Sequence, residues 1–317
     1  MAELVDAHDS KSCGVIHESS ILSPGTMKKV LVILGPTASG KSDLAVRLAK
    51  KFKGEVISAD SRQVYKGLDI GTGKITRKEM GGIPHHLLDV ADPRKPFSVS
   101  QYKKLAEEER YFIESRHRLP IVVGGTGFYI DTFSGAVSLP DVPPNKNLRE
   151  KLAKKTNNAL FKLLEKKDPK RAKSIDSNNK VRLIRALEII EALGKVPKLK
   201  PANTNNFVFI GLKPEKLDER IKNRLVKRLP DIITESKKLL KEKKLTYKRM
   251  HELGLEYRYA GLYLQDKITK DELVEKLYLA IRKYAKRQMT WFKRNKKIKW
   301  FKPEEYKEIE KYVKSVL

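Results

Sequence analysis

An α/β architecture built on a parallel sheet is predicted by three observations. The short apolar runs Val30–Leu34, 55–59 and 121–123 are β-branched and bounded by Gly or Pro, as strands buried on both faces are. Amphipathic stretches at 41–52 and 98–117 alternate with them, and such alternation winds helices over the faces of a sheet. The third observation is the octapeptide Gly35-Pro36-Thr37-Ala38-Ser39-Gly40-Lys41-Ser42, set directly between the first strand and the first helix. It matches G-x-x-x-x-G-K-[ST] in the strand–loop–helix context that this motif requires. The expected fold is a P-loop NTPase-like core, a parallel sheet flanked by helices, together with an all-helical insertion domain.

Taken in order, residues 1–26 carry one lysine against four carboxylates, a charge of −3 on a chain whose remainder carries +32 of the total +29. They show no helical or strand period, and they lack the basic start and apolar core of a secretory signal. A disordered or spurious extension is expected there, with Met27 opening the folded chain. In the glycine loop that follows, backbone N–H groups point at a phosphate and the helix N-terminus adds its positive dipole end. Lys41 supplies a mobile cation, and the Ser42 hydroxyl can ligate magnesium. A polyphosphate or pyrophosphate is the ligand to expect on residues 35–42.

Leu139-Pro140-Asp141-Val142-Pro143-Pro144 then interrupts regular structure. Residues 141–205 are helical and very basic, with helices near 146–156, 159–167 and 177–193, closed by Gly194, Pro197 and Pro201. Phe207–Leu212 is one further strand that returns the chain to the sheet. Residues 141–205 therefore read as an insertion in a discontinuous core made of 27–140 and 206–317. From Glu215 the rest reads as helical, with a basic stretch at 271–295 and a last helix from Pro303.

Composition bounds the partners. The 317 residues hold 68 Lys and Arg against 39 Asp and Glu, and so positive a field points to a polyanion, nucleic acid first. A merely lysine-rich, solvated surface is the competing reading. A single cysteine, Cys13, excludes an internal disulfide framework and a cysteine zinc site, and it fits a reducing cytoplasm. No apolar stretch approaches the ~20 residues that a membrane span needs.

Two further stretches sit where open α/β sheets place their ligand crevice. Asp60-Ser61-Arg62-Gln63-Val64-Tyr65 follows the second strand, and Gly124-Gly125-Thr126-Gly127-Phe128-Tyr129 follows the third. With the glycine loop, Pro84-His85-His86-Leu87-Leu88-Asp89 and Tyr284-Ala285-Lys286-Arg287-Gln288-Met289-Thr290-Trp291-Phe292, they closely resemble the tRNA dimethylallyltransferases, from about Lys28 to the last helix. The resemblance implies a cytoplasmic, monomeric prenyltransferase using dimethylallyl diphosphate and Mg2+. It would alkylate the exocyclic N6 amine of adenosine 37, next to the anticodon, and grip the anticodon stem-loop of tRNA.

The resemblance also distributes roles. Asp60 becomes the general base that accepts a proton from the weakly nucleophilic adenine amine, a contribution of typically ~10²–10⁴-fold. An Asp-Ser pair before a short helix is equally a good N-cap, so capping stays open for Asp60. Thr126 would offer its hydroxyl and backbone N–H to the bridging oxygen of the donor, or cap the helix through Tyr129. Ser61, Arg62 and Gln63 resemble the residues that meet the extruded base. Arg220 and Arg224, at i and i+4, resemble a second group of diphosphate contacts beside Lys41. Val181-Arg182-Leu183-Ile184-Arg185 matches a tRNA-contacting helix, with Arg149 carried over by its distance beyond Leu139-Pro140. Arg182 and Arg185 share one face, while Val181, Ile184 and Leu187 repeat towards a core. Pairing of Arg185 with Glu188 at i+3 is the competing reading. Arg282, Lys286, Arg287 and Gln288 fall in a second tRNA-binding stretch, where Trp291 and Phe292 read as core aromatics. Lys293-Arg294-Asn295-Lys296-Lys297 could track phosphates.

Departures from the pattern are visible too. Gly254 is followed by Leu255 and Glu256 before Tyr257 and Arg258, two residues more than the usual Gly-Tyr-Arg. Pro230 and Asp231 replace a glycine bend. His85 and His86 point to opposite faces of an extended chain, a poor chelating pair. Two other activities share parts of this pattern. An adenylate isopentenyltransferase would share the glycine loop and the Asp60 stretch, but a free nucleotide needs no extended basic surface. A nucleic-acid-binding P-loop ATPase or kinase would share the loop alone, and no acidic run on a later strand supplies its second magnesium carboxylate.

Overall fold

In the computed structural model, residues 29–198 and 204–317 are described. The expected extension at 1–26, and Pro201, lie outside the described residues. The first stretch runs β1 (Val30–Leu34), α1 (Lys41–Lys51), β2 (Gly54–Ser58), α2 (Arg77–Met80), β3 (His85–His86), α3 (Val99–Ser115), β4 (Leu119–Gly124) and α4 (Gly127–Phe133). Four helices follow: α5 (Lys146–Ala153), α6 (Asn157–Lys167), α7 (Pro169–Ala172) and α8 (Lys180–Leu193). The chain then gives β5 (Phe207–Leu212), α9 (Leu217–Lys241), α10 (Tyr247–Leu253), α11 (Leu255–Tyr263), α12 (Lys270–Phe292), β6 (Lys299–Phe301) and α13 (Tyr306–Val316).

The strands form one parallel sheet in the order β3-β2-β4-β1-β5-β6. β1 lies between β4 and β5, with Val32 opposite both Val122 and Phe209. Because side chains alternate across a strand, each strand divides between two cores. Val30, Val32, Leu34, Ile57, Val122 and Phe209 face α3 and α4. Leu31, Ile33, Val56, Ile121, Val208 and Ile210 face α1 and α13, through Leu44, Leu48, Ile309 and Val313. The central strands β1, β4 and β5 are apolar throughout because both faces are covered, as parallel sheets require, whereas β2 carries Glu55 and Ser58 and the edge strands hold His85, His86 and Lys299.

The helices α5, α6, α7 and α8 pack around Leu152, Leu160, Leu164, Leu183, Ala186, Leu187 and Ile190. α9 and α12 lie together along Ile221, Leu225, Leu229, Leu273, Leu277 and Ile281. Expected strand and helix positions hold to within a few residues, with one correction after Glu215. That stretch is not wholly helical, for β6 adds an edge strand beside β5, with Ile210 opposite Lys299. The run is short and lysine-flanked, and only Phe301 of its three residues is buried, so it leaves no apolar period to read. Pro230 bends nothing away: α9 continues through it to Lys241.

Candidate active site

The glycine loop is shaped by positions that tolerate positive φ. Gly35 (φ 148) passes the end of β5, where an added Cβ would stand 2.6 Å from the Leu212 carbonyl oxygen. Gly40 (φ 89) enters α1 with no side-chain cap, so the first-turn N–H groups of that helix stay available to an anion. Lys41 curls back, its Nζ donating to the Pro36 carbonyl at 2.6 Å and to Ser39 Oγ at 3.4 Å. Burial pushes the Lys41 ammonium down to about 8, against the opposing pull of Asp60, and Arg224 adds to the lowering.

Above the loop opens a cavity of about 1200 Å³ at the carboxyl ends of the strands. Residues 37–43, Asp60 to Gln63, the loop from Asp69 to Thr76, Arg220, Arg224, Tyr284 and Arg287 line it. The structure thus gathers the phosphate loop and the Asp60 strip into one space. Asp60 Oδ1 accepts the amides of Arg62 at 2.8 Å and Gln63 at 3.4 Å. What Asp60 caps is a turn, not the short helix expected, and the bonds use Oδ1, leaving Oδ2 for the cavity. Gln63 Nε2 donates to the Gly73 carbonyl at 3.3 Å.

Thr126 requires a correction. Its backbone N–H donates to the Ala59 carbonyl at 3.2 Å, tying β4's exit to β2, so it is not free for a ligand. Nor does the side chain cap α4. Thr126 Oγ1 instead accepts the Ser61 amide at 3.0 Å, lies 3.3 Å from Ser61 Oγ, and bonds the Tyr284 hydroxyl. Burial raises the Tyr284 phenol above its ordinary range, so it stays a neutral donor.

α9 presents Arg220, Arg224 and Arg228 at i, i+4 and i+8, on one face. Arg220 Nε donates to the Ala38 carbonyl at 2.9 Å, which holds a guanidinium against the glycine loop. Arg224 Nη2 reaches the Gly73 carbonyl at 3.4 Å. Of the two arginines expected at the diphosphate, Arg220 is thus held at the glycine loop, while Arg224 reaches the loop from Asp69 to Thr76 across the cavity and its charge is felt by Lys41. Arg228, which the sequence reading passed over, lines the same cavity, and burial followed by the Arg224 charge lowers its pKa. Its i+4 spacing from Arg224 was the available signal. Glu256 was missed as well: it lines the cavity, and burial raises its carboxyl while Arg228 and Arg224 oppose. The two extra residues Leu255 and Glu256 form the first turn of α11, so the departure from the usual pattern is helical.

α12 supplies the remaining wall. Gln288 is buried; its Oε1 accepts the Thr37 amide at 2.9 Å and its Nε2 donates to the Gly125 carbonyl at 2.8 Å. Both amide ends are engaged inside the protein, which corrects its assignment to a tRNA surface. Arg282 pairs with Asp218 at 2.6 Å, Lys286 is exposed, and Arg287 faces the cavity. Trp291 and Phe292 pack in the core as expected, with Trp291 Nε1 donating to Asp131 Oδ2 at 2.7 Å.

In α8 the expectations divide. Leu183 is fully buried among the helices α5 to α8 and cannot touch a tRNA, and Ile184 packs on the same cluster. Val181 points to solvent, 78% exposed, rather than towards a core, because the buried stripe follows Leu183, Ala186, Leu187 and Ile190. Arg185 bonds Glu188, and its Nη2 donates to the Val142 carbonyl at 2.8 Å. Arg149 grips the same carboxylate through Nε at 2.7 Å and Nη2 at 2.8 Å. Burial would raise Glu188, but these two guanidiniums and the Asn145 amide bring it down to about 2. The pairing reading thus describes Arg185, while Arg182 stays exposed.

Among the described residues, no three His, Cys, Asp or Glu gather as a metal site. The two histidines diverge as expected: His85 bonds the Ile83 carbonyl, and His86 lies 2.8 Å from both Glu55 and Glu109. Among the hydroxyls lining the cavity, that of Ser42 stands at the end of the phosphate loop, where it suits an ion held mostly by its ligand's phosphates and water. Also among the described residues, no helix is long and apolar enough to cross a membrane.

Comparison with known proteins bears on this geometry. A family model described as IPP transferase matches residues 63–295, and one described as isopentenyl transferase matches residues 28–92. A tRNA dimethylallyltransferase of Thermoanaerobacter sp. (strain X514) is 40% identical over 315 residues, 91% of this chain and 96% of that protein. tRNA dimethylallyltransferase 2 of Treponema denticola is 42% identical over 275 residues, 84% of this chain and 92% of its own. A crystal structure of the full-length tRNA isopentenylpyrophosphate transferase from Bacillus halodurans matches with TM-score 0.69 at 38% identity, covering 92% and 97% of the two chains. A eukaryotic dimethylallyltransferase acting on tRNA matches with TM-score 0.73 at 30% identity, covering 84% and 70%.

Proposed function

The chain belongs to the tRNA dimethylallyltransferase family, and from that premise we propose how its own residues carry out the transfer. It is a prenyltransferase that modifies an adenosine of tRNA. In our reading the donor is dimethylallyl diphosphate and the acceptor is the N6 amine of adenosine 37, beside the anticodon. One observation supports this above the rest: the phosphate loop and the Asp60 strip line a single cavity, with arginines of α9 along its wall.

The diphosphate rests on the residue 35–42 loop, where unsatisfied amides, Lys41, Arg220 and Arg224 converge. As the allylic C–O bond breaks, negative charge grows on the departing diphosphate, and these fixed positive groups stabilise it. The adenine leaves its stack to enter the cavity, where Ser61, Arg62 and Gln63 meet its edge. Its N6 attacks the allylic carbon, and Asp60 Oδ2 takes the proton that the new C–N bond displaces. Thr126, held by Ser61 and Tyr284, orients the strip from behind. Mg2+, when bound, would be held by Ser42 and the diphosphate oxygens and would neutralise part of their charge.

We assign the grip on the anticodon stem to exposed cations. These are Arg182 on the helical insertion and Lys286 and Arg287 on α12, with the enzyme acting as a monomer whose whole cavity comes from one chain. The test is transfer of labelled dimethylallyl from its diphosphate to an anticodon stem-loop or to AMP. Label on the stem-loop alone supports the reading. Label on AMP alone makes the enzyme an adenylate prenyltransferase, and ATP hydrolysis without label transfer overturns it altogether.

A further inference from the structure

The outer wall of the cavity is the loop from Asp69 to Gly73, and its attachment lies outside the roles assigned so far. Three consecutive backbone N–H groups converge on one carboxylate, that of Glu235 on α9. Those of Asp69 and Ile70 donate to Oε2 at 3.0 and 2.7 Å, and that of Gly71 donates to Oε1 at 2.9 Å. The Tyr257 hydroxyl donates to Oε1 at 2.7 Å. Successive amides aimed at one point make a concave anion seat, and bonds to an ionised acceptor are roughly twice as strong as neutral ones. In this chain the seated anion is a side chain of the protein itself. The fit is close: a Cβ added to Gly71 would stand 2.5 Å from Tyr257 Cζ.

Two residues on, the loop turns through Gly73 (φ 64), whose carbonyl accepts from two donors. One is Gln63 Nε2 at 3.3 Å, on the strip that meets the acceptor base. The other is Arg224 Nη2 at 3.4 Å, on the arginine face that meets the diphosphate. A single backbone oxygen therefore joins the two halves of the cavity. Glu235 sits on the same helix as Arg224, so one rigid element carries both the arginine and the clamp on the loop that arginine touches.

We propose that Glu235 is a positioning residue for prenyl transfer: by seating the Asp69–Gly71 amides on α9 it fixes the Gly73 carbonyl, and with it the spacing between Gln63 and Arg224. The proposal rests on the prenyl-transfer reading above. Relative placement matters because an error of about 1 Å between reacting partners costs on the order of 10²-fold in rate. A glutamine at 235 keeps one oxygen but turns an NH2 towards amides that also donate, so the seat loses at least one of its bonds.

The experiment compares the full-length wild type, Glu235→Gln and Tyr257→Phe. It measures single-turnover transfer from dimethylallyl diphosphate to an anticodon stem-loop, both KM values, and thermal melting. Glu235→Gln is expected to lower the rate at saturation by about 10–100-fold while each KM moves less than about 3-fold. Tyr257→Phe, which keeps all three amide bonds, should fall between it and the wild type. In wild type, Gln63→Ala and Arg224→Lys should be coupled in kcat/KM, and the coupling should vanish with Glu235→Gln. A wild-type rate in Glu235→Gln, or a loss matched by its unfolded fraction, overturns the proposal. If that variant does not fold, Glu235→Asp, whose shorter side chain cannot reach all three amides, takes its place, and a Gln63–Arg224 coupling as large in it as in wild type overturns the proposal. Hydrogen exchange reads the clamp without substrate, so this failure is separable from failure of the prenyl-transfer reading. Protection of amides 69–71 that is lost in Glu235→Gln is expected, and equal exchange in both proteins refutes the clamp.

Discussion

The side-chain oxygen of Gln288 accepts the backbone amide of Thr37 across 251 residues of sequence, at 2.9 Å. The same amide group donates to the Gly125 carbonyl, so α12 braces the phosphate loop and the β4 exit against each other. Gln288→Ala would leave the buried Gly125 carbonyl without its partner, about 1–3 kcal/mol, and would free the half-buried Thr37 amide at the cavity. It is expected to raise the KM for the prenyl donor by about tenfold or more, with tRNA affinity nearly constant. A rise in the tRNA KM alone would return Gln288 to the nucleic-acid surface.

Asp60→Asn separates base from cap. Asparagine keeps an oxygen for the Arg62 and Gln63 amides but cannot take a proton. Turnover should fall by ~10²-fold or more while tRNA binds as before. Were the role only to hold the turn, Asp60→Asn would turn over like wild type and Asp60→Ala would not, and kinetics on the pair decide it.

Lys41 should announce its ligand through protons. Burial holds its ammonium near 8, below the ordinary 10.5, and an anion in the loop favours the charged form. Diphosphate binding should therefore raise that value and draw a proton from solution at pH 8–9, and affinity should weaken as pH climbs through 8. Calorimetry in buffers of different ionisation enthalpy measures the uptake. Identical uptake by Lys41→Met would assign the proton elsewhere.

Arg182 and Arg185, three residues apart, should behave differently. Arg182→Ala is expected to reduce the slope of log K for tRNA against log salt by about 0.7–0.9, one phosphate contact. Arg185→Ala should act chiefly on stability, since its guanidinium is bound to Glu188 and the Val142 carbonyl. Equal changes of slope in both variants would show that Arg185 leaves its partners to meet the tRNA.

Glu188 should mark the acid limit of the packing of α5 against α8. Its folded value, about 2, lies below the ordinary 4.5, so its contribution is present in full above about 4.5 and is lost as pH falls towards 2. Glu188→Gln is expected to cost about 3 kcal/mol at neutral pH, since two arginines lose their charge partner. It should also flatten the dependence of melting temperature on pH below 4.5. A variant with the wild-type acid profile would show that this carboxylate is not a determinant.

Much of this was legible because it is local. The glycine loop, the strands beside it and the Asp60 strip are each set by neighbours in sequence, and spacing alone placed them at the crevice. What escaped depends on distant partners. Nothing near Gln288 announces that Thr37 and Gly125 will claim its amide, so a solvent-facing reading was natural. Val181 and Leu183 exchanged places because a helical period fixes which residues share a face, not which face meets a neighbour. Thr126 lost its N–H to Ala59, a bond that exists only once β4 has docked beside β2. Leu255 and Glu256 stand out in the sequence only as two extra residues, and nothing local marks them as the first turn of α11, which meets α10 at Gly254 (φ 77).

The position of β1 also bears on how the chain is made. Its partner on one side, β5, arrives late: Lys29 and Asn205, at the entrance to that pairing, are 176 residues apart. At a synthesis rate of about 5–20 residues per second, a nascent β1 waits ~10–35 s with one apolar edge open. Unpaired strand edges template association with other chains. Helices α5 to α8 are all translated during that wait, before the sheet can close. Ribosome-bound chains ending shortly before Phe207 are therefore the form of this protein most in need of a holding chaperone.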